Sequence, residues 1–139
     1  MRRKTTWLIL GSLMVLAMIF TSCGSETPDG STTGTGAYSQ SGGTVTKSNQ
    51  TITVSKEDES AVEITNSGVF TLTDSTVSKS GDTSSVDDSS FYGLNAAILA
   101  ESGSEITLSN VAITTTGFGA NGVFATGEGS TIDLMFVHW

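Results

Sequence analysis

Asn95-Ala-Ala-Ile-Leu-Ala-Glu-Ser-Gly-Ser-Glu-Ile-Thr-Leu108 is followed by a second version of the same pattern, Asn121-Gly-Val-Phe-Ala-Thr-Gly-Glu-Gly-Ser-Thr-Ile-Asp-Leu134. The two lie 26 residues apart and align without a gap. Asn95 matches Asn121, Gly103 matches Gly129, Ser104 matches Ser130, Ile106 matches Ile132 and Leu108 matches Leu134. A fixed period of this length marks an architecture of stacked repeats, each unit burying its apolar face against the next.

The pattern extends backwards. Residues 60–68 line up with residues 95–103, and after deletion of one residue Val69 to Leu72 lines up with Glu105 to Leu108. Asp74 then matches Asn110, and Val77 matches Ile113. An earlier copy begins at Gly42, with Val45 at the position of Ile106, Asn49 at that of Asn110 and Ile52 at that of Ile113. Lys47 takes the place of Leu72, Leu108 and Leu134, so this copy reads as a degraded, more polar capping repeat. The corner positions Asn49 and Asp74 are 25 residues apart, whereas Asp74 and Asn110 are 36 apart. The excess falls in Asp82-Thr-Ser-Ser-Val-Asp-Asp-Ser-Ser-Phe-Tyr92, which reads as a loop inserted between repeats and held outside the stack.

Within each copy apolar and polar residues alternate, as in Ile52-Thr53-Val54, Phe70-Thr71-Leu72 and Ile106-Thr107-Leu108. A period of two with β-branched residues predicts short strands. The Gly, Asn, Asp and Ser residues between them predict turns. No stretch of ten residues beyond residue 23 carries a clean helical stripe. The expected fold class is all-β, a parallel β-helix of about four coils with about three strands each. At the strand spacing of about 4.8 Å the stack would stand about 19 Å tall. Ile, Leu, Val and Phe would point inward, and the corner Asn and Asp residues would form ladders between coils. An antiparallel sandwich is the competing arrangement, but it does not require the same side-chain types to recur every 26 residues.

Gly93-Leu-Asn-Ala-Ala-Ile-Leu-Ala100 and Gly117-Phe-Gly-Ala-Asn-Gly-Val-Phe-Ala-Thr-Gly127 resemble bacterial right-handed parallel β-helix proteins of the adhesin-like type, with a pectin-lyase-like fold. The resemblance covers roughly residues 42–134. It implies a right-handed coil, export, a surface location, and an extended stalk or binding face.

The N-terminus reads as a targeting segment. Arg2, Arg3 and Lys4 precede an apolar run from Trp7 to Phe20, and small residues follow. That order describes a secretory signal over residues 1–22. The run is shorter than the roughly 20 residues of a spanning helix, although a retained membrane anchor is the alternative. Phe20-Thr21-Ser22-Cys23 resembles the lipobox of bacterial lipoproteins, with Phe20 in place of the usual leucine. The resemblance implies lipidation at Cys23, and two or more acyl chains give stable anchoring. Residues 23–41 are rich in Ser, Thr and Gly, a composition too poor in apolar surface to order itself, and read as a tether. Residues 42–139 form the repeat region. Its end departs from the pattern: Met135 and Phe136 stand where Ser109 and Asn110 stand one repeat earlier. The tail is expected to be either a hydrophobic plug or the interrupted end of a longer repeat protein, and the abruptness of the change favours the second.

Composition narrows function. Beyond the signal only Lys47, Lys56 and Lys79 oppose 14 acidic residues, a net charge of 3 − 14 = −11, and no arginine remains. Nucleic-acid binding needs a basic stripe against phosphates, which is missing here. Cys23 is the single cysteine, so no internal disulfide forms. β-Helix lyases and hydrolases rely on basic residues and clustered carboxylates. Here the lysines are scattered, the single histidine is His138, and Asp87-Asp88 is an isolated pair. Asp82, Asp87 and Asp88 offer hard oxygen ligands for Ca2+, but their spacing fits neither an EF-hand nor Gly-Gly-x-Gly-x-Asp repeats. A solvated acidic loop is the plainer account. Phe91 and Tyr92 are expected either to stack on a sugar face or to pin the loop to the coil wall. Phe118 and Phe124 are expected to pack, and His138 and Trp139 to have no site role.

The sequence therefore predicts a non-catalytic envelope protein, lipid-anchored to a membrane and exposed outside the cytoplasm. It would meet a glycan or surface-protein ligand through the side face or the Asp82–Tyr92 insertion, without a cofactor. The alternatives are the N-terminal fragment of a β-helix carbohydrate-active enzyme, and a truncated remnant without independent function.

Overall fold

A computed structural model describes residues 38–139 and the backbone of residues 34–35. The signal segment, the lipidation position Cys23 and most of the expected tether lie outside the described residues. The elements in order are β1 (Gly34–Thr35), β2 (Tyr38–Ser41), β3 (Thr44–Ser48), β4 (Thr51–Val54), β5 (Val62–Thr65), β6 (Val69–Lys79), α1 (Val86–Tyr92), β7 (Ile98–Glu101), β8 (Glu105–Thr115), β9 (Val123–Thr126) and β10 (Thr131–Met135). The described chain is all-β in class, with a single short helix among the described residues. One sheet runs β1-β4-β6-β8-β10 with β3 also on β6, and the other runs β2-β5-β7-β9. Every pair of these strands is parallel, which removes the antiparallel sandwich.

The repeat spacing is written into the strand pairing. Val45 lies beside Phe70, Phe70 beside Ile106 and Ile106 beside Ile132. Lys47, Leu72, Leu108 and Leu134 form a second row, and Ile52, Val77 and Ile113 a third. Strand alternation sends these residues to one face, where Phe70, Leu72, Val77, Ile106 and Leu108 are almost wholly buried in one core. At the polar exception the Lys47 ammonium lies 4.8 Å from the Tyr38 ring centroid, and Tyr38 stacks on Phe70 at 5.1 Å. An ammonium over an aromatic face keeps a favourable partner without entering the core.

The eleven-residue strands β6 and β8 turn a corner part-way along. Asp74 and Asn110 adopt φ of 48° and 53°, and Asn49 between β3 and β4 adopts 55°. Asn and Asp tolerate this left-handed conformation better than other side chains that carry a Cβ. Asn110 Nδ2 donates to Asp74 Oδ1 at 2.7 Å, a rung of the expected corner ladder.

Four expectations need correction. The second sheet is displaced by one residue from the alignment of identical residues. Val62 pairs with Ile98, not Ala97, and Ile98 pairs with Val123, not Phe124. A one-residue slip exchanges the faces of a strand, and the observed register places Val62, Ile98 and Val123 in one inward row. The 26-residue spacing is recovered because the Gly127–Ser130 turn is one residue longer than Ser102–Ser104. Gly127 and Gly129 take it up at φ of 85° and 79°.

The tether is also shorter than residues 23–41. Tyr38 to Ser41 is a strand on β5, fastened by the stacked Tyr38 and by Gln40, whose amide donates to the carbonyls of Gly42, Gly43 and Val69. The insertion is a short helix rather than an irregular loop. Finally, the backbone register does not break after Leu134. Met135 pairs with Ser109, and His138 bridges Ala112, donating to Val111 O at 3.0 Å and accepting from Ile113 N at 2.8 Å. What changes there is the chemistry of the side chains, because Phe136 occupies the corner with φ of 54° and is 83% exposed. Phe136→Asn is therefore expected to raise stability by about 1 kcal/mol by relieving left-handed strain. Urea denaturation of the variant beside the parent checks this.

Candidate functional site: an acidic groove beside the inserted helix

The insertion begins where the core row of Val54 receives Lys79. Its side chain is 1% exposed, and its Nζ donates to Lys56 O and Gly81 O, each at 2.8 Å. Burial lowers the Lys79 pKa, and the charges of Glu59, Asp58 and Asp82 oppose that shift. Asp58 receives the next turn. Its carboxylate accepts from the Ser84 hydroxyl, from Ser84 N at 2.9 Å and from Thr83 Oγ1 at 3.1 Å. Ser85 then caps α1 by accepting from Asp88 N at 3.2 Å. Gly93 closes the helix in the left-handed conformation.

Polar contacts seat the helix. Ser89 is 2% exposed; its hydroxyl donates to Gly119 O, and Asn121 Nδ2 donates to Ser89 O and Oγ at 3.0 and 3.1 Å. Asn95 Nδ2 donates to Gly81 O at 2.9 Å. The two asparagines that open the repeated pattern thus both fasten the insertion to the stack.

Between α1 and the outer face of the second sheet lies a groove of about 600 Å³. The outward row Ser39, Glu63 and Leu99 runs across β2, β5 and β7, with Glu101 two residues further along β7. The helix contributes Asp88 and Tyr92, and the segment after β4 contributes Asp58, Glu59 and Ser60. Ser39 Oγ donates to Glu63 Oε2 at 2.9 Å. Burial pushes the Glu101 carboxyl up, and the charge of Glu63 pushes it further. Asp58 moves the other way, held low first by the Ser84 hydroxyl and then by Ser84 N–H.

The structure divides the residues singled out in the sequence. Asp88 and Tyr92 line the groove. Asp82 does not; its Oδ1 accepts from Phe118 N at 2.8 Å and so ties the insertion to the next repeat. Asp87 is exposed in the first helical turn. No group of three or more His, Cys, Asp or Glu residues among the described residues is close enough to hold a metal ion. Phe91 and Tyr92 do not pin the insertion to the wall, since they are 70% and 64% exposed. Phe118 is likewise exposed at 68%, so it is not a packing residue, while Phe124 is half-buried. Trp139, 71% exposed, leans over Gly122, where an added Cβ would lie 2.6 Å from its ring.

Asp58, Glu59, Glu63 and Glu101 carry no signal in the sequence that marks them as site residues, and Asn95 stands out there only as a repeat position. The outward position of Glu63 in Val62-Glu63-Ile64 is readable from alternation. Its nearness to Glu101 depends on the register that identity matching misplaced. No family model, curated protein or solved structure matches the chain.

The opposed shifts predict a pH response. A depressed pKa in the folded state gives Asp58 a stabilising contribution that is full above the unfolded value and lost as pH falls through the folded one. The raised Glu101 does the reverse: its charge costs stability above its folded pKa, and the cost disappears as pH falls below the unfolded value. Asp58→Asn is expected to flatten the acid limb of stability between about pH 5 and 2, whereas Glu101→Gln is expected to remove a gain in stability that the parent shows on acidification from neutral pH down to about 4. Urea midpoints measured across the two ranges check both signs.

Proposed function

We propose that the chain is a non-catalytic, lipid-anchored envelope protein whose repeat region is a right-handed parallel β-helix. It acts in surface interaction through the groove beside the inserted helix. The coil reading is supported by three strand segments per repeat, all in parallel register. Its hand is supported by the strong general preference of parallel crossovers for the right-handed path. The lipid anchor rests on the basic start, the apolar run and Cys23.

The observation that carries the functional reading is the placement of Tyr92. An aromatic side chain left 64% exposed at the edge of a groove gives up the gain of burial, and its neighbours supply hydrogen-bond acceptors. Exposed aromatic surface rimmed by polar groups marks recognition sites, and aromatic rings stack on apolar faces of ligands while their edges meet polar groups.

Two experiments test the two halves. In cells carrying the full chain, Cys23→Ala is expected to move the protein from the membrane fraction to the soluble or secreted fraction; retention would refute the anchor. In a glycan array probed with the full chain in detergent, the Tyr92→Ala variant is expected to lose about fivefold in binding, since a stacked ring contributes of order 1 kcal/mol. Undiminished binding by a folded Tyr92→Ala variant would remove the groove as the contact surface.

A further inference from the structure

Carboxyl groups dominate the polar lining of the groove. Asp58, Glu59, Glu63, Asp88 and Glu101 bring five carboxyl groups to it, and no lysine or arginine lines it. Lys56 meets Glu59 Oε2 at 3.5 Å, but its side chain is 74% exposed. Lys79, though near, is buried and committed to two backbone carbonyls. Of two buried side-chain atoms without a hydrogen bond among the described residues, Glu59 Oε2 is ion-paired with Lys56, which leaves Asn95 Oδ1, on a residue that lines this groove, without a partner. Asn95 is wholly buried and its amide nitrogen is already used on Gly81 O. Buried polar groups are normally satisfied, and an orphan calls for an explanation.

The carboxyl groups are also spread rather than gathered. They come from the segment after β4, from β5, from β7 and from α1, and no three metal-ligating side chains among the described residues stand close enough for one metal ion. An elongated cation with several donors fits that spacing where a point charge does not. Tyr92 adds a ring face of the kind that attracts ammonium groups.

We infer that the groove between α1 and the outer face of β5 and β7 binds a ligand bearing two or more primary ammonium groups. The inference rests on the groove being the contact surface and adds the class of ligand. Ammonium groups supply donors to Glu63, Glu101 and Asp88 and screen the repulsion between Glu63 and Glu101. Linear polyamines, oligomers of unacetylated amino sugars and lysine-rich peptides share this chemistry. Anionic ligands are repelled.

Isothermal titration of the full chain in detergent, at low and at moderate salt, tests the inference with spermidine, a glucosamine tetramer and trilysine. The N-acetylglucosamine tetramer is the neutral counterpart. At least one amine probe is expected to bind with one-to-one stoichiometry and to weaken as salt rises. The Glu63→Gln/Glu101→Gln variant keeps the side-chain shapes and relieves a repulsion, so it is expected to fold. It should weaken binding by about tenfold, because two charges near the ligand are lost. The Glu128→Gln/Asp133→Asn variant removes the same charge from exposed positions outside the groove and should change binding by less than about twofold. Tyr92→Ala should cost about threefold. Which probe binds best assigns the source of the ammonium groups. Failure of all three amines to bind overturns the inference, as do equal losses in the two charge variants or equal binding of the acetylated tetramer. Binding of the acetylated tetramer that depends on Tyr92 would leave the groove as the contact surface and refute only the ammonium class.

Discussion

Replacing Phe70 by alanine is expected to lower the unfolding free energy by about 4 kcal/mol, the range seen when a buried aromatic is truncated. Phe70 is fully buried in the row between Val45 and Ile106, and its ring supports Tyr38, which in turn carries the Lys47 ammonium. The cavity therefore opens in the middle of a stack, with a repeat on each side. Parallel rows leave little room to collapse, because backbone ladders hold neighbouring repeats at a fixed spacing. Urea denaturation measures the loss. A change below about 1.5 kcal/mol would mean that the row relaxes into the cavity, contrary to a rigid stack. Phe70→Leu, which keeps most of the volume, should recover more than half of the loss.

Gly81→Ala is expected to cost about 3 kcal/mol by overpacking, and to act on the insertion first. A Cβ at Gly81 would lie 2.1 Å from Lys56 O and 2.6 Å from Lys79 Nζ. The equivalent position one repeat on, Gly117, is equally tight, with an added Cβ 2.0 Å from Gly81 O. Three successive repeats thus approach one another through bare backbone at this corner, and Lys79 uses the space to reach two carbonyls. Any side chain at Gly81 forces that ammonium away from its acceptors while it remains buried, and an unsatisfied buried group adds its desolvation cost. Hydrogen exchange should show earlier opening across residues 82–96 than in β6 and β8. Uniform loss of protection throughout the chain would place Gly81 in the global core instead.

These two sites also show how far the sequence reaches. The rows through Phe70 and Leu72 were legible because side chains of one type recur at matching positions, and recurrence is what stacking demands. The corner was legible for the same reason, since Asn49, Asp74 and Asn110 supply the residue types that tolerate a left-handed backbone. The one-residue shift of β5, β7 and β9 was not. Identical Asn and Gly residues aligned best at 26, but they belong to turns and to the seating of the insertion. Strand register answers instead to which residues face the core. The partners of Lys79 were hidden too: alternation with Val77 and its equivalence to Val54 put it on the inward face, but nothing along the chain shows the carbonyls of Lys56 and Gly81 that accept its ammonium there.

The groove belongs almost wholly to the second kind. Asp88 and Tyr92 could be named from the inserted segment, but the Asp82–Tyr92 stretch read as a loop because seven residues are too few to display helical periodicity. Glu63 and Glu101 are 38 residues apart in the chain, and Asp58 and Asn95 are turn residues in different repeats.

By itself the sequence determined the class, the repeat, the inward rows of the first sheet, the corner residues and the place where one repeat is lengthened. Local alternation and periodic recurrence carry that information, and both are properties of the chain as a line. The tertiary structure decided the register of the second sheet, the partners of Lys79, and the gathering of carboxylates from four segments around an exposed tyrosine. Those features depend on which parts of the chain are neighbours in space, and only the packed stack brings them together.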